Sequence, residues 1–195
     1  MVSISDRNLI NATIPMAEQL IGEGSGPTRA LTIVNGGTLA VAGTMLNNNY
    51  RLLAAIYAGT VDVINNGTIA VVSDAGRYYI AFGIFGSKTI TNNGTISLTG
   101  NGTAISGGRD IVNSGTITDV AGSGATSING LTEPTNSGTI RVDGVAVQSG
   151  YYSSTSLINS GAIESRKATA VMLGYGGRLT NEATGTNRHR PIRRK

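Results

Sequence analysis

The chain has 195 residues, with 28 glycines, no cysteine, no tryptophan and only 13% charged residues. Its formal net charge is +4, but Arg188, Arg190, Arg193, Arg194 and Lys195 lie in the last eight positions, and the rest of the chain holds ten basic against eleven acidic groups. That balance excludes a basic face for nucleic acid, and the lack of cysteine excludes a disulfide framework; many β-branched and turn-forming residues at low charge exclude a helical bundle and a disordered chain alike.

Met1 to Ile14 lacks the basic region, apolar run and small-residue cleavage site of a signal peptide. No stretch approaches the ~18 apolar residues that a helical membrane span requires. Residues 1–30 form an N-terminal segment in which Asn11, within Asn-Ala-Thr-Ile, marks a degenerate first coil. From residue 31 the chain repeats. Cores built on Asn-x-Gly-Thr-Ile begin at Asn35, Asn65, Asn92, Asn113, Asn136, Asn159 and Asn181, at spacings of 30, 27, 21, 23, 23 and 22 residues. Self-similarity at such a period signals a stacked-repeat architecture.

Two positions before each Asn stand Ile33, Val63, Ile90, Ile111, Pro134, Leu157 and Leu179; four positions after it stand Leu39, Ile69, Ile96, Ile117, Ile140, Ile163 and Gly185. Alternation continues through Val41, Val71, Leu98 and Val142, so each repeat carries two short half-buried strands bent around Asn-x-Gly. A third apolar patch follows, as in Ala104-Ile105, Val145-Ala146-Val147 and Ala170-Val171-Met172. Three strands and three turns make one coil. The prediction is an all-β, right-handed parallel β-helix spanning residues 31–185, with about seven coils of 21–30 residues. At about 4.8 Å per coil the column stands roughly 30 Å tall.

In this arrangement Asn35, Asn65, Asn92, Asn113, Asn136, Asn159 and Asn181 share the parity of the inward column, so their amides are expected to bond to one another as a ladder. The Gly after each is expected to supply positive φ at the bend. The longer first two repeats place Leu46–Tyr57 and Asp74–Phe85 in loops or a wider third strand, and Glu133-Pro134 is expected to bulge because proline cannot donate to a sheet ladder. The last repeat loses its apolar residue at Gly185, and residues 186–195 read as a basic tail foreign to the repeat.

The iterated core, as in Thr89-Ile90-Thr91-Asn92-Asn93-Gly94-Thr95-Ile96-Ser97, resembles the passenger region of Gram-negative autotransporter proteins of type V secretion. The resemblance covers residues 31–185 and implies a long β-helix displayed at the cell surface or secreted. It also implies an N-terminal export signal and a C-terminal translocator barrel, neither of which this sequence contains, so the chain reads as a passenger fragment. Adhesion or spacing, with a host-cell or extracellular protein or glycan as partner, is the implied role. Alternatives are a β-helical protein that binds or cleaves polysaccharide, in the manner of pectate lyases or phage tailspikes, and a truncated gene product without function.

The residues offer little chemistry. Asp62 and Asp110 both stand three residues before their Asn, but two coils apart at ~10 Å, too far for a retaining glycosidase pair. No Asp-rich or Arg-carboxylate group is expected at one level. His189 is the single histidine and no cysteine accompanies it, so neither a metal site nor a catalytic triad is expected, and no cofactor. Thr38, Thr68, Thr95, Thr116 and Thr139 form one outward rank, but the next outward rank, Ala40, Ala70, Ser97, Thr118 and Arg141, does not match it as an ice-binding face requires. Sequons at Asn11, Asn66, Asn93 and Asn101 are by-products of the repeat. The candidate ligand contacts are Tyr78, Tyr79, Tyr151, Tyr152 and Tyr175 in or near the third strand, where exposed aromatics can stack on sugars or a protein partner. With no evident cap at either end, end-to-end self-association and fraying from Gly185 are expected.

Overall fold

The structure is a computed structural model that describes residues 2–4, 20–22, 32–43, 53–59, 61–73, 81–86, 88–121, 124–130, 133–149, 154–174 and 176–189. It is a parallel β-solenoid, and no helix occurs among those residues. The strands β1 (Val2–Ile4) and β2 (Leu20–Gly22) come first. Sets of three follow: β3 (Thr32–Asn35), β4 (Thr38–Gly43) and β5 (Leu53–Tyr57); β6 (Asp62–Asn65), β7 (Thr68–Ser73) and β8 (Ala81–Gly86); β9 (Ile90–Asn92), β10 (Thr95–Gly100) and β11 (Gly102–Gly107). The series continues with β12 (Ile111–Asn113), β13 (Thr116–Asp119) and β14 (Thr126–Gly130); β15 (Thr135–Asn136), β16 (Thr139–Val142) and β17 (Val147–Ser149); β18 (Ser156–Asn159), β19 (Ala162–Ser165) and β20 (Val171–Met172). The pair β21 (Arg178–Asn181) and β22 (Thr186–His189) ends it.

Each strand pairs with its equivalent one coil away. β3, β6, β9, β12, β15, β18 and β21 form sheet I; β4, β7, β10, β13, β16, β19 and β22 form sheet II; β1, β2, β5, β8, β11, β14, β17 and β20 form sheet III. The registers carry the sequence columns into space. Ile96 pairs with Ile69 on one side and Ile117 on the other, and Ile105 lies between Ile84 and Ile128. About five turns, between Val63 and Val171, are closed by apolar side chains from all three sheets. Ile69, Ile84, Ile90, Ile96, Ile105, Ile111 and Ile117 are fully buried. Each contributes about 1.5–3 kcal/mol of transfer free energy.

Sheet III breaks strict alternation. Ala104 and Ile105 are both buried, as are Gly83 with Ile84 and Ser127 with Ile128. The ladder skips Gly83, Ala104 and Ser127 between paired neighbours, so the strand bends there and turns two successive side chains inward. The first position of each pair, the one the ladder skips, is crowded. A Cβ on Gly83 would already lie 2.6 Å from the Ala104 carbonyl oxygen. Small residues therefore fill this column.

Several expectations need correction. Pro134 does not bulge: Val112 pairs with Thr135 and Asn113 with Asn136 in unbroken register, and Pro134 is buried in the inward column. Its carbonyl still accepts from Ile158 N at 3.1 Å, so only its missing N–H is lost, and β15 is merely short. The repeat also continues beyond Gly185. Glu182, Ala183 and Thr184 lengthen the corner by two residues, after which Thr186 pairs with Ala162 and Asn187 with Ile163. The inward position of that coil is thus taken by Asn187, and residues 186–189 form a strand. Of the two long inserts, Leu53–Tyr57 and Ala81–Gly86 are strands of sheet III; residues 46–52 and 74–80 lie outside the described residues.

Candidate functional site

The Asn-x-Gly corner joins sheet I to sheet II, and its polar groups form a closed set. Asn35 Nδ2 donates to Asn65 Oδ1 at 2.7 Å, Asn65 to Asn92 at 2.7 Å, Asn92 to Asn113 at 2.7 Å and Asn113 to Asn136 at 2.7 Å. Asn136 donates to Asn159 and Asn159 to Asn181, each at 2.8 Å. All six bonds point the same way along the column. The second amide hydrogen turns to the carbonyl of the Gly two residues on, as from Asn65 to Gly67 at 3.3 Å. Backbone groups close the same way: Ser114 N and Gly115 N both donate to Asn92 O at 2.9 Å. Buried amides are thereby paired in every coil. At the far end, where both residues are exposed, Asn187 Nδ2 donates to Asn181 Oδ1 at 3.0 Å.

The corner glycine is required for a reason other than φ. Among the described residues the positive-φ glycines are Gly59, Gly100, Gly107, Gly108 and Gly176, none of them at an Asn-x-Gly corner. A Cβ on Gly94 would lie 2.0 Å from Gly67 O, and one on Gly115 would lie 2.0 Å from Gly94 O. Successive coils approach backbone to backbone here, and any side chain would separate them.

Among the described residues, one cluster of buried and half-buried charges was not expected. Asp119, at the end of β13, Asp143, just after β16, and Arg166 and Lys167, just after β19, meet where sheet II turns toward sheet III. Arg166 Nη2 contacts Asp119 Oδ1, Arg166 Nε contacts Asp143 Oδ1, and Lys167 Nζ lies 2.5 Å from Asp143 Oδ2. Asp143 N donates to Asp119 Oδ2 at 2.8 Å. Both carboxylates are buried, while Arg166 is 20% and Lys167 52% exposed at the side chain. Two carboxylates and two cations balance, which is what burial of charge demands. Every carboxylate oxygen is engaged, so the group offers no open acceptor for general acid–base work. One signal could have revealed it: Asp119 stands two residues after Ile117, the parity filled by Val71, Leu98 and Val142 in other coils.

The other described carboxylates are dispersed. Asp62 Oδ1 accepts from Thr89 N at 3.1 Å, and Asp110 is exposed two coils away. Among the described residues no group of three or more His, Asp or Glu could hold a metal ion. Tyr78, Tyr79, Tyr151, Tyr152 and Tyr175 lie outside the described residues. The described aromatics sit on sheet III in adjacent coils: Tyr57 stacks on Phe85 with centroids 5.5 Å apart and planes 11° apart, and Phe82 meets Phe85 edge-on at 5.1 Å. Tyr57 and Phe85 each turn one ring face to the other, and both remain half-exposed. The Thr rank of sheet II is in register from Thr38 to Thr139, while Arg141 and Glu164 in the neighbouring rank form a 3.4 Å ion pair. The corner position after the ladder Asn carries a short outer ladder, Asn93 Nδ2 to Asn66 Oδ1 at 2.9 Å and Ser114 Oγ to Asn93 Oδ1 at 2.6 Å.

No helix of the described residues is long and apolar enough to cross a membrane. No known protein-family model, characterised protein or solved structure matches this chain. Its assignment therefore rests on architecture: the chain is a three-sheeted parallel β-solenoid wound around an asparagine ladder.

Proposed function

We propose that this chain is a non-enzymatic segment of an autotransporter passenger, serving at the cell surface or after secretion as an adhesive or spacer scaffold. The observation that carries the reading is the asparagine ladder. The ladder asparagine recurs from coil to coil, is buried from Asn35 to Asn159 and is hydrogen-bonded to its neighbours, so its recurrence is accounted for by winding the column. The buried ion cluster, with all its carboxylate oxygens engaged, favours a structural role in the same way. A solenoid held by local contacts between coils suits a long, rigid display element. Contacts with a host-cell protein or a glycan then belong to what differs between coils, with Tyr78, Tyr79, Tyr151, Tyr152 and Tyr175 as the residues to test.

Antibodies against the chain, applied to intact and to permeabilised cells of the source organism, test the reading. Labelling of intact cells, lost after brief external proteolysis, is the expected result. Labelling only after permeabilisation, with none of the protein in the medium, would overturn it.

A further inference from the structure

Each coil of a solenoid touches its immediate neighbours, and stability is then close to a sum of coil and nearest-neighbour terms. The hydrogen bonds of the ladder and of the corners follow that rule, each joining one coil to the next. Arg166 departs from it. Its backbone N donates to Val142 O at 2.8 Å in the adjacent coil, as sheet pairing requires. Its guanidinium passes Asp143 in that coil and reaches Asp119, 47 residues away and two coils distant, where Nη2 also donates to the Asp119 backbone carbonyl at 3.2 Å. The planar fork of arginine lets one side chain hold both carboxylates. Lys167 N, donating to Asp143 O at 3.2 Å, and Ser165 Oγ, donating to Gly144 O at 2.8 Å, fix the turn from which Arg166 projects.

We propose that Arg166 is a clamp that ties the coils beginning at β12, β15 and β18 into one cooperative unit. The solenoid is then not a uniform stack. Opening the coil of β18 and β19 withdraws Arg166 and leaves two buried carboxylates without their shared cation, one of them in a coil it does not touch. Residues 111–165 therefore open together, while the coils of β3–β11, which lie outside the clamp, open independently.

Native-state hydrogen exchange of the full chain in increasing denaturant, followed peptide by peptide, tests it. The expected result is one common opening isotherm for peptides covering 111–119 and 156–165. Separate isotherms, with 156–165 opening first, would overturn the clamp in the unaltered protein. Asp119→Asn, which preserves size, is the second arm. Because the substitution lies two coils from β18, a nearest-neighbour stack leaves exchange in 156–165 unchanged. The clamp predicts exchange there faster by on the order of a hundredfold, as for loss of a buried ion-pair partner. Acceleration confined to 111–142 would refute it.

Discussion

Replacing Asn113 by Ala removes both ladder partners at once. Asn92 Nδ2 loses its acceptor at 2.7 Å and Asn136 Oδ1 loses its donor at 2.7 Å, and both residues are fully buried. Each orphaned group costs about 1–3 kcal/mol, so the substitution should cost about 2–6 kcal/mol. Asn92→Ala likewise orphans Asn65 Nδ2 and Asn113 Oδ1. The double substitution orphans only Asn65 Nδ2 and Asn136 Oδ1, the same number as either single change. The two costs should therefore be far from additive, with a coupling of about 2 kcal/mol or more, above the ~0.5 kcal/mol scatter of independent sites. Urea unfolding followed by far-ultraviolet circular dichroism measures all four corners of the cycle. Costs that simply add would mean that each Asn is held by its own coil, and the ladder would not be the unit of stability.

Gly115→Ala should destabilise by about 3 kcal/mol or more, because its Cβ would meet Gly94 O at 2.0 Å and neither backbone can yield without parting the coils. Gly176→Ala, at φ 72° with its nearest new contact at 3.8 Å, should cost only about 1 kcal/mol; equal losses in denaturant titrations would contradict the close-approach explanation. Ser127 Oγ is buried without a hydrogen-bond partner, so Ser127→Ala should leave stability unchanged or raise it by about 1 kcal/mol, and a fall in melting temperature would expose an unrecognised role for the hydroxyl.

The third strand illustrates where sequence patterning stops. Ala104-Ile105 and Ala170-Val171 were legible as apolar, but two successive inward residues cannot be separated from a short buried run without knowing that the strand bends. The corner glycine posed a similar ambiguity. Sequence permits either positive φ or close approach for a glycine at a bend, and only the 2.0 Å between a Gly115 Cβ and the coil below decides for the second. At the C-terminus, counting four residues from Asn181 lands on Gly185. The pairing of Asn187 with Ile163 appears only when the longer corner is laid over its neighbour.

By itself the sequence determined the solenoid: the recurrence of Asn, Gly and apolar residues at fixed offsets leaves parallel stacking as the arrangement that buries every column together. The tertiary structure decided everything that depends on contact between residues at unlike offsets. Asp143 and Arg166 share an offset, seven residues after their ladder Asn, but Asp119 stands only six after its own, so no column joins all three, and they meet because the turn from sheet II to sheet III brings three levels within reach of one side chain. Periodicity encodes what repeats, and a charge that must be neutralised on burial finds its partner through space.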